Sequence, residues 1–92
     1  MNNFNFCIVE GNLIDAAGVI NNGCEFFIAS NRECIKDGEK FVKTLTVKIT
    51  AYDKLGEVCN KYLNKGSKVL VSGTLTEDGL EAKEVNFLSP KG

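Results

Sequence analysis

Residues 41–52 read FVKTLTVKITAY, and their side chains alternate between apolar and polar. A period of two predicts a β-strand. One side of this strand is predicted to face a core, with Lys43 as its single polar interruption; its apolar members are Phe41, Leu45, Val47, Ile49 and Ala51. The other side carries mainly threonines, with one cation and one aromatic ring; its members are Val42, Thr44, Thr46, Lys48, Thr50 and Tyr52. This second side is either simply solvated or binds a partner.

Further strands are predicted before this stretch. FNFCIVEGNL, residues 4–13, is apolar on both sides and is interrupted by Gly11. This pattern predicts a covered strand with a bulge or bend that lets it serve two sheets. Asn22-Gly23 predicts a tight turn before the next strand, CEFFIASN, which starts near Cys24. The polar segment RECIKDGEK is predicted to be a loop, with Asp37-Gly38 at its turn, leading into FVKTLTVKITAY.

After Tyr52 the apolar positions recur every three or four residues, which predicts a helix over residues 53–66. Its apolar face is predicted to consist of Leu55, Val58, Cys59, Tyr62 and Leu63. Asp53 is placed to cap the start of the helix and Gly66 to end it. KVLVSGTLT and LEAKEVNFL then predict two strands joined by a two-residue hairpin at Asp78-Gly79.

Three strands, one helix and two strands, in that order, predict an all-β fold with one helix. The expected architecture is a five-stranded Greek-key OB-fold barrel with the helix between the third and fourth predicted strands. No linker or internal period divides the chain, so residues 1–92 are predicted to form a single OB-fold domain. OB barrels bind oligonucleotides, oligosaccharides or proteins on the face of their second and third strands. The polar side of FVKTLTVKITAY belongs to that face.

The residue types present exclude several classes of function. The chain has no histidine, and its cysteines, Cys7, Cys24, Cys34 and Cys59, do not form the closely spaced pairs of a zinc site. We therefore predict reduced thiols, no metal, no cofactor and no enzymatic activity. No apolar run is long enough to span a membrane, and MNNFNFCIVEG does not resemble a secretory signal. A cytoplasmic location without a membrane partner is predicted.

The charges are unevenly distributed along the chain. Residues 32–68 contain nine basic and five acidic side chains, whereas the rest of the chain contains two basic and seven acidic ones. Binding to a polyanion depends on the local potential, so a net charge of −1 does not exclude a nucleic-acid partner.

Three segments together resemble the bacterial single-stranded DNA-binding protein (SSB) family: GNL at 11–13, ASNR at 29–32, and YDKLGEVCNKYLNKGSKVLVSGTL at 52–75. The resemblance covers nearly the whole chain. It implies non-catalytic, sequence-tolerant binding of single-stranded DNA in replication, recombination or repair, with bases stacked on rings and phosphates held by Lys and Arg. Because the first strand is apolar on both faces and the domain is small, the subunits are predicted to associate through it into a homo-oligomer, and the resemblance implies a tetramer rather than a dimer. Binding of RNA stays open.

The resemblance also implies nucleic-acid-binding residues. On the third predicted strand these are Thr46, Lys48 and Tyr52, with Arg32 and Lys54 at flanking basic positions. In CEFFIASN the adjacent phenylalanines point to opposite faces, and the resemblance places Phe27 outward, where it is predicted to stack a base. The alternatives are that Phe27 packs in a subunit interface or under a loop, that Tyr52 caps the core beside the start of the helix, and that the basic residues are only solvated.

The chain departs from the family pattern at several points. It has no tryptophan, and the family's aromatic positions after the second strand and within the third are Cys34 and Thr46. The last hairpin is short, and the chain ends in SPKG rather than in an acidic tail, so we expect no tail-mediated recruitment of partners. These losses imply weaker binding and a shorter footprint. The alternative function is a tailless OB adaptor that acts through protein contacts in a primosome-like replication assembly.

Overall fold

The computed structural model describes residues 5–88, so the predicted start of the first strand at residue 4 and the final segment SPKG lie outside the described residues. This part of the chain contains six strands and one helix. In chain order they are β1 Cys7–Leu13, β2 Gly18–Ile20, β3 Gly23–Lys36, β4 Glu39–Tyr52, α1 Asp53–Tyr62, β5 Lys68–Leu75 and β6 Leu80–Leu88.

Five strands close into a ring in the order β1, β5, β6, β4, β3 and back to β1. The ring is antiparallel except between β4 and β6, where Ile49 pairs with Leu80 in parallel. The closed ring, with α1 between β4 and β5, confirms the predicted barrel. Among residues 5–88, the short strand β2 pairs only with β3; this strand was not predicted from the sequence.

Strand β1 serves two neighbours, as its central glycine predicted. It pairs with β5 from Cys7 to Asn12 and with β3 through Asn12 and Leu13. A Cβ atom at Gly11 would lie 2.6 Å from the backbone oxygen of Ala29 on β3. Glycine is therefore needed here because β1 and β3 approach each other closely at the point where the barrel closes.

The segment RECIKDGEK was predicted to be a loop, but it is part of a long hairpin. Strands β3 and β4 pair without interruption from Gly23 opposite Tyr52 to Lys36 opposite Glu39. Only Asp37 and Gly38 remain as a turn, and their φ angles of 55° and 80° are typical of a tight hairpin. The prediction was wrong because this part projects beyond the barrel, where both faces of the strands meet solvent and carry polar residues.

The same projection corrects the predicted inner side of FVKTLTVKITAY. Ile49 and Ala51 are buried and Val47 packs half-buried against the core, as predicted. Leu45 is 62% exposed, and Phe41 is also exposed, because both lie beyond the end of the barrel. The buried core consists of Leu13, Cys24, Phe26, Ile28, Ile49, Ala51, Cys59, Leu63, Val69, Val71, Leu80 and Ala82.

Two of the cysteines, Cys24 on β3 and Cys59 on α1, are fully buried in this core. Burial raises the pKa of both thiols, and the pKa of Cys59 reaches about 12 because Cys24 is also close to it. All four cysteines are free thiols. Cys24 and Cys59 therefore pack as small hydrophobic side chains.

Helix α1 differs from its prediction at both ends. Its N-cap residue is Tyr52 and no side chain caps it, whereas Asp53 is the first helical residue and donates its N–H to the carbonyl of Asn22 at 2.8 Å. The helix ends at Tyr62, so Gly66 lies in the following loop, with a φ of 91°. On the predicted apolar face, Val58 and Tyr62 are exposed.

Both predicted tight turns exist but are shifted by one residue. The loop between β2 and β3 is formed by Asn21 and Asn22, and Gly23 already belongs to β3. Between β5 and β6, Thr76 and Gly79 exchange backbone hydrogen bonds of 2.7 and 3.4 Å around a two-residue turn. In both cases the glycine closes the hairpin as a paired residue and is not one of the two central turn residues.

Candidate nucleic-acid interface

The outward side of the paired strands β3 and β4 forms one continuous surface, which we call the outer face. Residues that pair across antiparallel strands point to the same side of the sheet. Alternate residues such as Ile28 and Ile49 are buried, so their neighbours in sequence face outward. From the barrel toward the hairpin tip, the outer face contains the pairs Gly23/Tyr52, Glu25/Thr50, Phe27/Lys48, Ala29/Thr46 and Asn31/Thr44.

Four of the predicted binding residues meet on this face. Phe27 lies directly opposite Lys48, and Thr46 and Tyr52 follow on the same side of β4. The side chains of Phe27 and Tyr52 are 40% and 43% exposed. The structure therefore brings two accessible aromatic rings and a lysine onto one surface.

Small residues lie beside the positions that carry or could carry a ring. Gly23 is opposite Tyr52 and Ala29 is opposite Thr46. Neither neighbour has a side chain that could cover an adjacent ring. Phe27 and Tyr52 are four positions apart in the register, about 13 Å along the strands. Bases stacked on these two rings would therefore be separate bases, with the Glu25/Thr50 pair between them and Lys48 beside Phe27.

An acidic residue that the sequence reasoning missed also lies on the outer face. The carboxylate of Glu25 forms an ion pair with Lys48, with 3.5 Å between Oε1 and Nζ. Both side chains are about one-third exposed, at 32% and 33%. The sequence CEFFIASN already indicated this position, because Glu25 and Phe27 are two residues apart in a strand and therefore share a face.

A second carboxylate borders the same region. Glu81 on β6 is the parallel partner of Thr50, and its Oε2 lies 3.4 Å from Nζ of Lys83. Thr50 therefore has Glu25 on one side and Glu81 on the other. The centre of the outer face carries opposing charges rather than only basic ones.

The two flanking basic residues lie apart from the four central ones. Lys54 is exposed in the first turn of α1, two residues beyond Tyr52, at one end of the outer face. Arg32 pairs with Lys43, and both side chains lie on the side of the projecting hairpin opposite to the outer face. We call this side the inner face. The structure therefore does not place Arg32 beside Phe27 and Lys48.

The inner face has features of its own that the sequence reasoning missed. Two cations, Arg32 and Lys43, lie directly opposite each other, an arrangement that is unfavourable without an anion nearby. The next pair toward the tip is Cys34 with Phe41, whose ring is partly exposed. Phe41 was predicted to be in the core, and only the length of the hairpin shows that it is not.

A profile of the single-strand binding protein family matches residues 6–87. The chain belongs to this family. Solved structures of similar shape include a deletion mutant of the single-stranded DNA-binding protein from Thermus aquaticus, with a TM-score of 0.87 and 15% identity. The match covers 97% of this chain and 52% of that one, so the chain spans about half its length.

A second solved structure has nearly the same length as this chain. The small single-stranded DNA-binding protein from Streptomyces coelicolor matches with a TM-score of 0.72 and 16% identity, covering 96% of this chain and 95% of its own. At identities this low, the structural likeness establishes the shared OB fold alone. Within residues 5–88, no helix has the length and apolar character of a membrane span, and no cluster of potential metal ligands occurs.

Proposed function

We propose that this protein binds single-stranded DNA without catalysis and with little sequence preference, using the outer face as the floor of the binding groove. One observation carries the proposal: in a member of this family, the exposed rings of Phe27 and Tyr52 share the β3–β4 face with Lys48, whose side chain is one-third exposed. Ring faces and cations are the two elements that sequence-tolerant binding requires, and each stacked base contributes about 1–3 kcal/mol.

In this proposal each residue has one role. Phe27 and Tyr52 stack bases, and Lys48 contacts a phosphate beside Phe27. Lys54 contacts the backbone at the α1 end of the outer face. Arg32 contacts a phosphate where the strand passes over the hairpin onto the inner face. Thr46 supports the backbone path without stacking.

The test is a salt titration of binding to fluorescein-labelled oligo-dT, with duplex DNA and oligo-rU of the same length as comparisons. Binding to single strands should weaken with salt, with a log-log slope of about −0.7 for each phosphate contacted. Duplex DNA should bind more weakly, because paired bases cannot stack on the rings. No oligo-dT binding at low salt would refute the proposal. The RNA arm decides the preference for sugar and leaves the proposal intact.

A second candidate function is supported by the tip of the hairpin. Ile35 and Val42 lie on the outward side there and are 71% and 61% exposed. Two exposed apolar side chains on an otherwise charged tip favour contact with a protein, as expected of an adaptor in a replication assembly. The adaptor hypothesis predicts that Ile35→Ser with Val42→Ser abolishes partner binding and leaves oligo-dT binding unchanged.

We also propose that the subunits associate through β1, with a tetramer favoured over a dimer. Ile8 on the outward side of β1 is 60% exposed. Pairing this side with its equivalent in another subunit would bury it. Sedimentation at micromolar concentration should show an oligomer that Ile8→Glu converts to smaller species. Val19→Glu, an exposed position on β2, serves as the matched control. A parent protein that sediments as a monomer would contradict this proposal.

We further propose that the protein acts in replication, recombination or repair, in the cytoplasm.

A further inference from the structure

An ion pair occupies the centre of the proposed DNA-binding floor. The Glu25 carboxylate lies 3.5 Å from the Lys48 ammonium, and both project from the outer face that carries the rings of Phe27 and Tyr52. A phosphate that contacts Lys48 must therefore come close to Glu25 as well. The carboxylate and the phosphate compete for the same cation and repel each other.

We propose that Glu25 attenuates binding: it holds Lys48 in the unbound protein and must release it before a phosphate can take its place. This inference rests on the proposed function. It makes Glu25 a determinant of affinity that contacts no base. The Glu25 carboxylate, not the number of basic residues alone, then sets how much Lys48 contributes.

The surroundings of the pair favour competition over assistance. If Glu25 only positioned Lys48, it would hold the lysine side chain from a place that the DNA backbone does not cross. Glu25 instead lies on the outer face itself, one cross-strand pair away from Phe27/Lys48. Its opposite residue, Thr50, has Glu81 on its other side, but Glu81 is held by Lys83, so the carboxylate that opposes a phosphate at Lys48 is that of Glu25. The negative charge therefore lies along the path proposed for the DNA.

The experiment compares the parent with Glu25→Gln in binding to fluorescein-labelled oligo-dT across a range of salt concentrations. Glutamine keeps the shape of the side chain and removes its charge. We expect binding about two- to fivefold tighter, the range of an exposed ion pair. The log-log salt slope should steepen by up to about 0.7, because Lys48 then acts as a full phosphate contact.

A second ion pair provides the matched control. Glu10 and Lys68 lie 3.2 Å apart on β1 and β5, and both are about half exposed. Glu10→Gln changes the net charge by the same amount but frees Lys68 instead of Lys48, so in a variant that keeps the parent's oligomeric state it should leave binding unchanged. Sedimentation should verify that both variants keep the parent's oligomeric state, and circular dichroism that they stay folded. If Glu25→Gln does not fold, Glu25→Thr replaces it.

The same charge removal is then repeated in a Lys48→Ala background. The gain from Glu25→Gln should shrink there, because the cation that it frees is gone. An equal gain in both backgrounds would reduce Glu25 to a general charge effect and overturn the inference. Weaker binding by Glu25→Gln would also overturn it, by showing that Glu25 positions Lys48.

The failure of this inference is distinguishable from failure of the proposed function. Parent protein that binds oligo-dT, with no gain from Glu25→Gln, contradicts the inference alone. Binding by the parent, with tighter binding by Glu25→Gln, supports both. Absence of binding by the parent and by every variant removes both.

Discussion

Replacing Thr46 by tryptophan should turn an empty position of the outer face into a stacking platform. Thr46 is exposed, and its partner across the strands, Ala29, carries only a methyl group. An indole at this position would lie diagonal to Phe27, at a distance that aromatic side chains span within a sheet. The two rings would then form neighbouring platforms on the same surface.

The size of the effect follows from the energy of one stacked base. About 1–3 kcal/mol per base corresponds to about 5- to 150-fold tighter binding of oligo-dT. The salt slope should not change, because an indole adds no charge. The free energy of unfolding should change by less than about 1 kcal/mol, since aromatic residues are favoured at exposed positions of strands.

Tryptophan fluorescence measures this stacking directly, because the chain has no tryptophan of its own. Emission of Thr46→Trp should be quenched as oligo-dT saturates the protein. Tyr62→Trp is the matched control, because Tyr62 is exposed on α1 and packs beside Phe87, outside the outer face. Unchanged affinity and unquenched emission of a folded Thr46→Trp variant would refute the placement of the DNA on this face.

Three further predictions concern the site, the barrel and the core. Lys48→Ala should weaken oligo-dT binding and flatten its log-log salt slope by up to about 0.7. Tyr52→Ala should reduce the binding free energy by about 1–3 kcal/mol and leave the slope unchanged. Equal slopes in both variants would contradict these roles. Gly11→Ala should lower the free energy of unfolding by about 1–3 kcal/mol in denaturant titrations, because the added Cβ would lie 2.6 Å from the backbone oxygen of Ala29 on β3. Gly18→Ala is the control and should not lower it, because its Cβ would lie 3.9 Å from the nearest atom, the backbone oxygen of Glu25. The Cys59 thiol has a pKa of about 12 in the folded protein, whereas an unfolded thiol ionises near its ordinary pKa of 9.0. The free energy of unfolding should therefore fall as the pH rises from 9.0 to about 12, and it should fall less in Cys59→Ala. A free energy of unfolding that does not change with pH in this window would contradict the burial of the thiol.

The barrel was predictable because its strands and helix have different periods. FVKTLTVKITAY alternates with a period of two, the following segment repeats every three or four residues, and Gly11 marks the place where one strand serves two neighbours. These are local signals, and local signals order the elements along the chain. Phe27, Thr46, Lys48 and Tyr52 share a face for the same reason.

The length of the β3–β4 hairpin was not predictable in this way. Alternation identifies an inner side but does not tell where the barrel beneath it ends, so Phe41 and Leu45 were expected in the core although they project past it. Arg32 was expected to flank the groove, but continued pairing carries it to the inner face. The ion pair of Glu25 with Lys48 depends on the register between two strands, which neither strand encodes alone.

The central claim, that the outer face of β3 and β4 is the floor of the groove, is tested most directly by mapping oligo-dT onto the protein by NMR. Addition of oligo-dT to ¹⁵N-labelled protein should shift the backbone amides of Phe27, Thr46, Lys48 and Tyr52 most strongly, while those of the outward side of β1 stay in place. Shifts confined to the hairpin tip around Ile35 and Val42, or to β1, would contradict the claim.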